Sequence, residues 1–431
     1  MFHEHERVVR STQQPAYSSP HTISIIQFDV FSSISIETTL LFPCYSMHIL
    51  HCITCLSGDG AQHMLLRLIN SLQRLGCYST VVTLKGRHDL SRACSDIGVP
   101  VFSLSMTNVR GVLTGVAALR RLIETIKPDV LQGWMYHANV VLSLAARARG
   151  EGPALVWNVR RGLDDLNSLK FSTHFFVKAS ARLSARPDRI IYCTERSRTQ
   201  HEAIGYSRSS SVVIDNGFDS QRFKANTDAR NEMRRKLCIA DDTFVIGCVG
   251  RYDHAKGHSF LLQAFKQLVE HDPSVCLALA GRGSEWSNKE LLDTLRSNGI
   301  ASHVILLGPS AHIEEVYPMF DVLCSSSVAE GFPNVVAEAM LCEVPCVVTD
   351  TGASRELVEG IGWVVPTRSA DALAQALVAA SQLSPIERAA MGRRGRKRIA
   401  EGYSLDRITA NYRTLYEQMA TQGSLAAAGG L

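Results

Sequence analysis

MHILHCITCLSGDGAQHMLLRLINSLQRLGCYSTVVTL, residues 47–84, holds one unit of the pattern that decides the fold. Ile49–Cys55 is a short, mostly apolar run of strand length. Ser57-Gly58-Asp59-Gly60 then breaks the run. From Ala61 to Leu75 apolar residues recur at helical spacing, and Ser79–Leu84 is strand-like again. A strand, a glycine-rich turn, a helix and a second strand make a crossover unit, whose two strands run parallel.

The unit repeats along the chain. Further strands are expected at Val101–Leu104, Val130–Gly133, Leu155–Val159, Ile190–Cys193 and Ser211–Ile214, with a helix at Val112–Ile126 among those between them. Asp215–Asp228, with Asn216-Gly217, reads as a linker. The alternation restarts with strands at Phe244–Gly250, Val275–Ala280, Val304–Leu307, Val322–Ser325, Val344–Thr349 and Trp363–Val365. Helices are expected at His258–His271, Glu290–Asn298, Asn334–Cys342 and Ala370–Ser381. The fold class is therefore α/β: two tandem Rossmann-like domains with parallel sheets, whose ligands bind at the carboxyl ends of the strands.

The chain has 431 residues, 45% of them hydrophobic and 20% charged, which suits two well-filled cores rather than a disordered chain. A net charge of +4 is too mild for nucleic-acid binding. The twelve cysteines sit mostly in apolar surroundings and read as free thiols; Cys52 and Cys55 form a CxxC inside a strand, with no second pair for zinc. Residues 1–46 are rich in Ser, Thr and His without a period, and lack signal-peptide organisation. They read as a disordered extension or as the product of an upstream start codon. Thr38–Leu56 is uncharged, but Pro43, Ser46, His48 and His51 make it a poor membrane span.

The segment richest in chemistry is Glu330-Gly-Phe-Pro-Asn-Val-Val-Ala-Glu338, which follows a strand and opens a helix. Free N–H groups and the positive dipole end at that helix start favour a phosphate. Gly331 allows close backbone approach, and Pro333 suits the first turn. Glu338, a turn inside, can accept hydrogen bonds from vicinal hydroxyls, and Glu330 can reach a sugar; the bland alternative is two ordinary helix carboxylates. Arg251 and Lys256 lie in the loop after the first strand of the second unit, where they either neutralise a diphosphate or stay solvated. No Asp-x-Asp is present, so no metal and no cofactor is expected. Gly58 and Gly60 form an anion-approach turn, Gly281-Arg282-Gly283 follows a strand, and His137 follows another. The glycine pattern is not a dinucleotide fingerprint, which counts against a nicotinamide oxidoreductase. Leu166–Arg186 mixes Phe171, Phe175, Phe176 and Leu183 with Lys170, Lys178, Arg182 and Arg186. A helix packed on the first domain is the favoured reading, and peripheral membrane contact the other. Arg393–Arg398 reads as a solvated helix face.

Taken together, Glu330 and Glu338 in an E-x7-E motif, the GRYDHAKG and AGRGSE loops, the NGFD linker and Gly402-Tyr403-Ser404 resemble the group 1 family of retaining glycosyltransferases with the GT-B fold. The resemblance runs from Met47 to about Gln418. It implies an acceptor domain over 47–218, a nucleotide-sugar domain over 219–402, a helix over 403–420 crossing back to the first domain, and a flexible tail over 421–431. It implies Arg251 and Lys256 on the donor diphosphate, Glu338 on the ribose and Glu330 on the sugar. The segment Gly331, Phe332, Pro333 and Asn334 would offer its backbone donors, the N–H groups of Gly331, Phe332 and Asn334, with Pro333 shaping the turn; Gly58, Gly60, Gly281 and Arg282 would lie near the donor, and His137 near the transferred sugar. The implied partners are a nucleotide-sugar, with UDP the expected base and GDP next, and a glycan or lipid-linked acceptor, handled in the cytoplasm or at the inner membrane face. Gln62 departs from the family's usual acidic residue, and Trp157–Gly162 lacks a histidine that many relatives carry, which points to a subgroup with its own acceptor. Rival readings on the same fold are a sugar-nucleotide epimerase, a phosphorylase and a non-catalytic partner subunit.

Overall fold

The computed structural model describes residues 46–428, apart from 59, 87–89, 147–151 and 167–170. The expected N-terminal extension lies almost wholly outside the described residues, as do Asp59 and Lys170.

Thirteen strands form two parallel sheets among the described residues. The first holds β1 (Met47–Ile53), β2 (Cys77–Thr83), β3 (Val101–Ser103), β4 (Val130–Trp134), β5 (Ala154–Val159), β6 (Arg189–Tyr192) and β7 (Ser211–Val213), in the order β3-β2-β1-β4-β5-β6-β7. The second holds β8 (Val245–Val249), β9 (Cys276–Ala280), β10 (Val304–Gly308), β11 (Val322–Ser325), β12 (Cys346–Thr349) and β13 (Trp363–Val365), in the order β10-β9-β8-β11-β12-β13. Both orders reverse direction next to their first strand, at β1/β4 and β8/β11. That reversal opens a crevice at the carboxyl edge, where ligands of such sheets bind.

Each sheet buries both faces, which is why its strands read as apolar runs rather than alternating ones. In the first sheet the buried Trp134 donates Nε1–H to His51 Nδ1 at 3.3 Å, and Trp157 donates to Ser143 Oγ at 2.9 Å. Burial pushes the His51 pKa down to about 3, so the imidazole is neutral and free to accept. The eleven described cysteines are free thiols, most of them buried.

The helix Leu405–Ala428 packs Ile408, Tyr412, Leu415, Tyr416 and Met419 into the core of the first sheet. Asn158 Nδ2 donates to the Tyr412 hydroxyl at 3.0 Å, Arg160 also donates to it, and the Tyr416 hydroxyl donates to Gln132. The helix runs to Ala428, beyond the expected end at 420, through an alanine-rich stretch of high helix propensity. Two further readings change. The basic run at 393–398 lies in the helix Pro385–Gly402, but only part of it is solvated. Arg396 donates to the carbonyls of Ser220, Phe223 and Leu341, and Arg398 to those of Leu357 and Glu359. The expected linker is not bare chain: Phe218 and Phe223 are buried in the second domain's core.

The two domains touch. Arg368 pairs with Asp165 at 2.6 Å, and Arg196 bridges Asp164 at 2.8 Å to Asp350 at 3.1 Å. Among the described residues no helix is long and apolar enough to cross a membrane.

Candidate active site

The second domain supplies a carboxylate and an ammonium in direct contact. The loop after β8 turns through the short helix His254–Lys256, opened by Asp253, whose side chain accepts from the Ala255 N–H at 2.7 Å. That turn points Lys256 toward the end of β11. Its Nζ lies 2.6 Å from Glu330 Oε1, and Ser327 Oγ donates to the same oxygen at 2.6 Å. Glu330 is mostly buried and Lys256 about three-quarters so, which makes this a partly desolvated pair. Arg251, in the same loop, donates to Asp253 Oδ2 at 3.0 and 3.2 Å.

Glu338, one turn inside the helix Asn334–Leu341, meets both domains. The Tyr317 hydroxyl donates to its Oε2 at 2.9 Å, and Arg67, from the helix Gly60–Arg74 of the first domain, pairs with Oε1. The Arg67 guanidinium also lies over the rings of Phe218 and Phe223, at 5.5 and 5.7 Å from their centroids. The carboxylate is thus held on both oxygens, with its orientation fixed.

The backbones themselves close the cleft. A Cβ at Gly331 would lie 2.6 Å from the Arg160 carbonyl oxygen, and one at Gly162 would lie 2.1 Å from that of Glu330. Only hydrogen at these two positions lets the segments lie against each other. Asn216 Nδ2 donates to Asn334 Oδ1 at 2.5 Å, Gly60 abuts the Asn334 side chain, and Arg282 donates to the Ser57 carbonyl at 3.1 Å. Gly281 packs against the Gly250 carbonyl, which ties the loops after β8 and β9 together. Gly58 takes the left-handed conformation, with φ 81°.

His137 stands apart from this cluster. It sits in the opening turn of the helix Met135–Ala145, which follows β4 without a loop. The sharp strand-to-helix passage forces Met135 to φ 69°, a strained value for a side-chain-bearing residue. The His137 ring rests on Phe176 with centroids 4.1 Å apart. Burial, and then the charge of Lys85, lower its pKa, so it is neutral at neutral pH. No hydrogen bond joins it to the second domain among the described residues. Phe332 faces inward, between Phe218 and Tyr403, so only its backbone is offered to the cleft.

A sheet pair of this topology is found in known proteins. The chain matches the model for glycosyl transferases group 1 over residues 243–382 and that for glycosyltransferase family 4 over residues 58–222. The chain belongs to the group 1 glycosyltransferases. Relatives include the lipopolysaccharide core biosynthesis mannosyltransferase LpsB of Rhizobium meliloti, 26% identical over 63% of this chain and 82% of that protein. The capsular polysaccharide biosynthesis glycosyltransferase CapM of Staphylococcus aureus is 25% identical over 68% of this chain and 78% of its own length. Among solved structures, Anabaena HepE in complex with UDP and glucose superposes with a TM-score of 0.74 at 22% identity, over 86% of this chain and 100% of that one. WaaG, a glycosyltransferase of lipopolysaccharide biosynthesis, gives 0.69 at 15% identity, over 85% and 99%. These two likenesses are of fold, and the fold is GT-B.

For this glycosyltransferase the crevice brings together Glu330, Lys256, Glu338, Asn334, Gly60 and Arg282, from segments far apart in the chain. Sequence reading overlooked Arg67, Tyr317, Ser327 and Asn216 as members of the same network. Arg67 had one signal: it shares a helix stripe with the buried Met64 and Ser71, where a cation is out of place.

Proposed function

We propose that this enzyme transfers a sugar from a UDP-sugar to a glycan or lipid-linked acceptor, with retention of anomeric configuration and without a metal. The observation that carries the reading is the Lys256–Glu330 pair at the crevice of the second sheet, with the first domain's backbone pressed against Glu330 and Gly331. Two fixed cations, Lys256 and Arg251, would hold the diphosphate where a metal would otherwise serve. Glu330 would accept hydrogen bonds from the sugar hydroxyls, and Glu338 from the ribose. The helix start at Asn334, with the backbone of Gly331 to Pro333, would face the phosphates. HepE, bound to UDP and glucose, supports the choice of UDP; LpsB and CapM, named for lipopolysaccharide core and capsular polysaccharide biosynthesis, support an acceptor in polysaccharide or glycoconjugate assembly.

The reaction follows from what the site offers. Glu330 is engaged by Lys256 and Ser327, which suits binding hydroxyls rather than attacking carbon. The acceptor oxygen would therefore approach the face from which the diphosphate leaves. The bond from the anomeric carbon to the phosphate oxygen breaks, the bond to the acceptor oxygen forms, and the acceptor proton passes to the leaving phosphate. The protein contributes orientation and fixed charge. The test is transfer from UDP-sugars in EDTA, with the product's anomeric configuration read by NMR. Retention is expected; an inverted product would overturn the mechanism.

A further inference from the structure

The helices Val109–Ile126, Met135–Ala145 and Phe171–Leu183 pack side by side on one face of the first sheet. Each follows a strand, so all three begin at the carboxyl edge that lines the cleft. The middle one carries His137. The flanking two present large apolar side chains to solvent at this edge: Leu113 is 71% exposed, Phe175 61% and Phe171 90%. Such exposure is costly unless something covers it.

The rest of the third helix says what covers it. Phe171, Phe175, Lys178 and Arg182 fall at helical spacing on a single outer stripe, with Arg186 just beyond. Lys178, Arg182 and Arg186 are exposed and form no ion pair among the described residues. The sequence from Leu166 to Pro187 holds no carboxylate at all. An aromatic end beside a row of uncompensated cations is the chemistry of a helix lying in an anionic lipid interface. A second copy is the poorer occupant, because a two-fold contact would set these cations against themselves.

We propose that this face docks on an anionic lipid surface through Phe171, Phe175, Lys178 and Arg182, holding the cleft mouth beside His137 against the bilayer. The proposal deepens the lipid-linked acceptor of the preceding reading and rests on it for its purpose, but the docking can be measured without any sugar. The full chain is sedimented with vesicles of phosphatidylcholine alone, or with phosphatidylglycerol added. Binding is expected only to the anionic vesicles, weakening as salt rises. Phe171→Ser/Phe175→Ser and Lys178→Glu/Arg182→Glu should each lose at least tenfold in partitioning, while stabilisation by UDP stays unchanged in both. Absence of binding to anionic vesicles, or variants that bind as well as the natural chain, would overturn the proposal. So would a dimer in solution that the serine variant dissolves, since a second copy would then cover the face. Vesicle binding without any UDP stabilisation would leave the docking standing and sink the donor reading.

Discussion

Glu330→Gln should separate the two halves of the donor. In the folded enzyme Glu330 holds Lys256 at 2.6 Å and takes a second hydrogen bond from Ser327. The substitution keeps the shape and removes the negative charge. Lys256 is then released from a carboxylate and can turn fully to a diphosphate. A unit charge about 6 Å from another, at an effective dielectric near 20, is worth about 3 kcal/mol. Solvent screening through the exposed quarter of Lys256 would leave about 1 kcal/mol of it. UDP should therefore bind about fivefold tighter to the variant. The sugar tells the opposite story. Losing a charge-assisted hydrogen bond to its hydroxyls costs about 1.5–3 kcal/mol, so kcat/KM for the UDP-sugar should fall by roughly 10- to 150-fold. Titration calorimetry with UDP and initial rates of UDP release give the two numbers. If the variant bound UDP more weakly than the natural enzyme, Glu330 would be serving the nucleotide, and the division of labour argued above would fail.

Three further outcomes follow from the same geometry. Gly331→Ala would press a methyl onto the Arg160 carbonyl, at 2.6 Å, and force the domains apart. A loss of about 1–3 kcal/mol and a larger radius of gyration by X-ray scattering are expected, and an unchanged radius would mean the contact is not needed for closure. Arg67→Met keeps much of the packing on Phe218 and Phe223 but leaves Glu338 with Tyr317 alone. A cost of about 2 kcal/mol, or roughly 4–8 °C in Tm, is expected, and no change in a thermal melt would show that the pair contributes nothing. The third concerns pH. Burial lowers the pKa of His51 to about 3 and of His201 and His258 to about 4. These groups bind protons more readily when unfolded, so their contribution is complete above about pH 6.5 and is lost as pH falls toward 4. Each adds a slope of up to about 1.4 kcal/mol per pH unit in that window. Urea unfolding at pH 7 and pH 5.5 should show a clear drop, and equal midpoints would contradict the buried neutral state of the three rings.

The sheets were legible because parallel strands covered on both faces are short continuous apolar runs, and this chain sets them apart with glycine turns and helical periods. Boundaries shifted where the signal is weak: β1 ends at Ile53, two residues short of the expected Cys55, because the apolar run continues past the last paired residue. The places of Glu330 and Lys256 at the crevice were legible because they sit in loops after strands, and that of Glu338 because it lies one turn into the helix such a loop opens. Their partners were not. Arg67 lies 271 residues from Glu338, and nothing local marks a cation as the partner of one particular carboxylate. Tyr317 and Ser327 have ordinary residue types for their places. Trp157–Gly162 was read only through a missing histidine, while its structural part is the Arg160–Arg161 backbone on which Gly331 rests and the Gly162 that abuts the Glu330 carbonyl. Arg396 was read as solvated because a basic run carries no sign of the carbonyls that converge on one of its members.

The central claim, a nucleoside diphosphate held by fixed cations rather than by a metal, is tested most directly by thermal unfolding of a chain starting at Met47. The ligands are UDP, GDP, ADP, CMP and NAD, each with and without EDTA. A ligand at about 100 times its Kd adds roughly 2.7 kcal/mol, an easily read shift. The account expects stabilisation by UDP that survives EDTA and is lost in Lys256→Ala. A shift abolished by EDTA, or none with any nucleoside diphosphate, would contradict it.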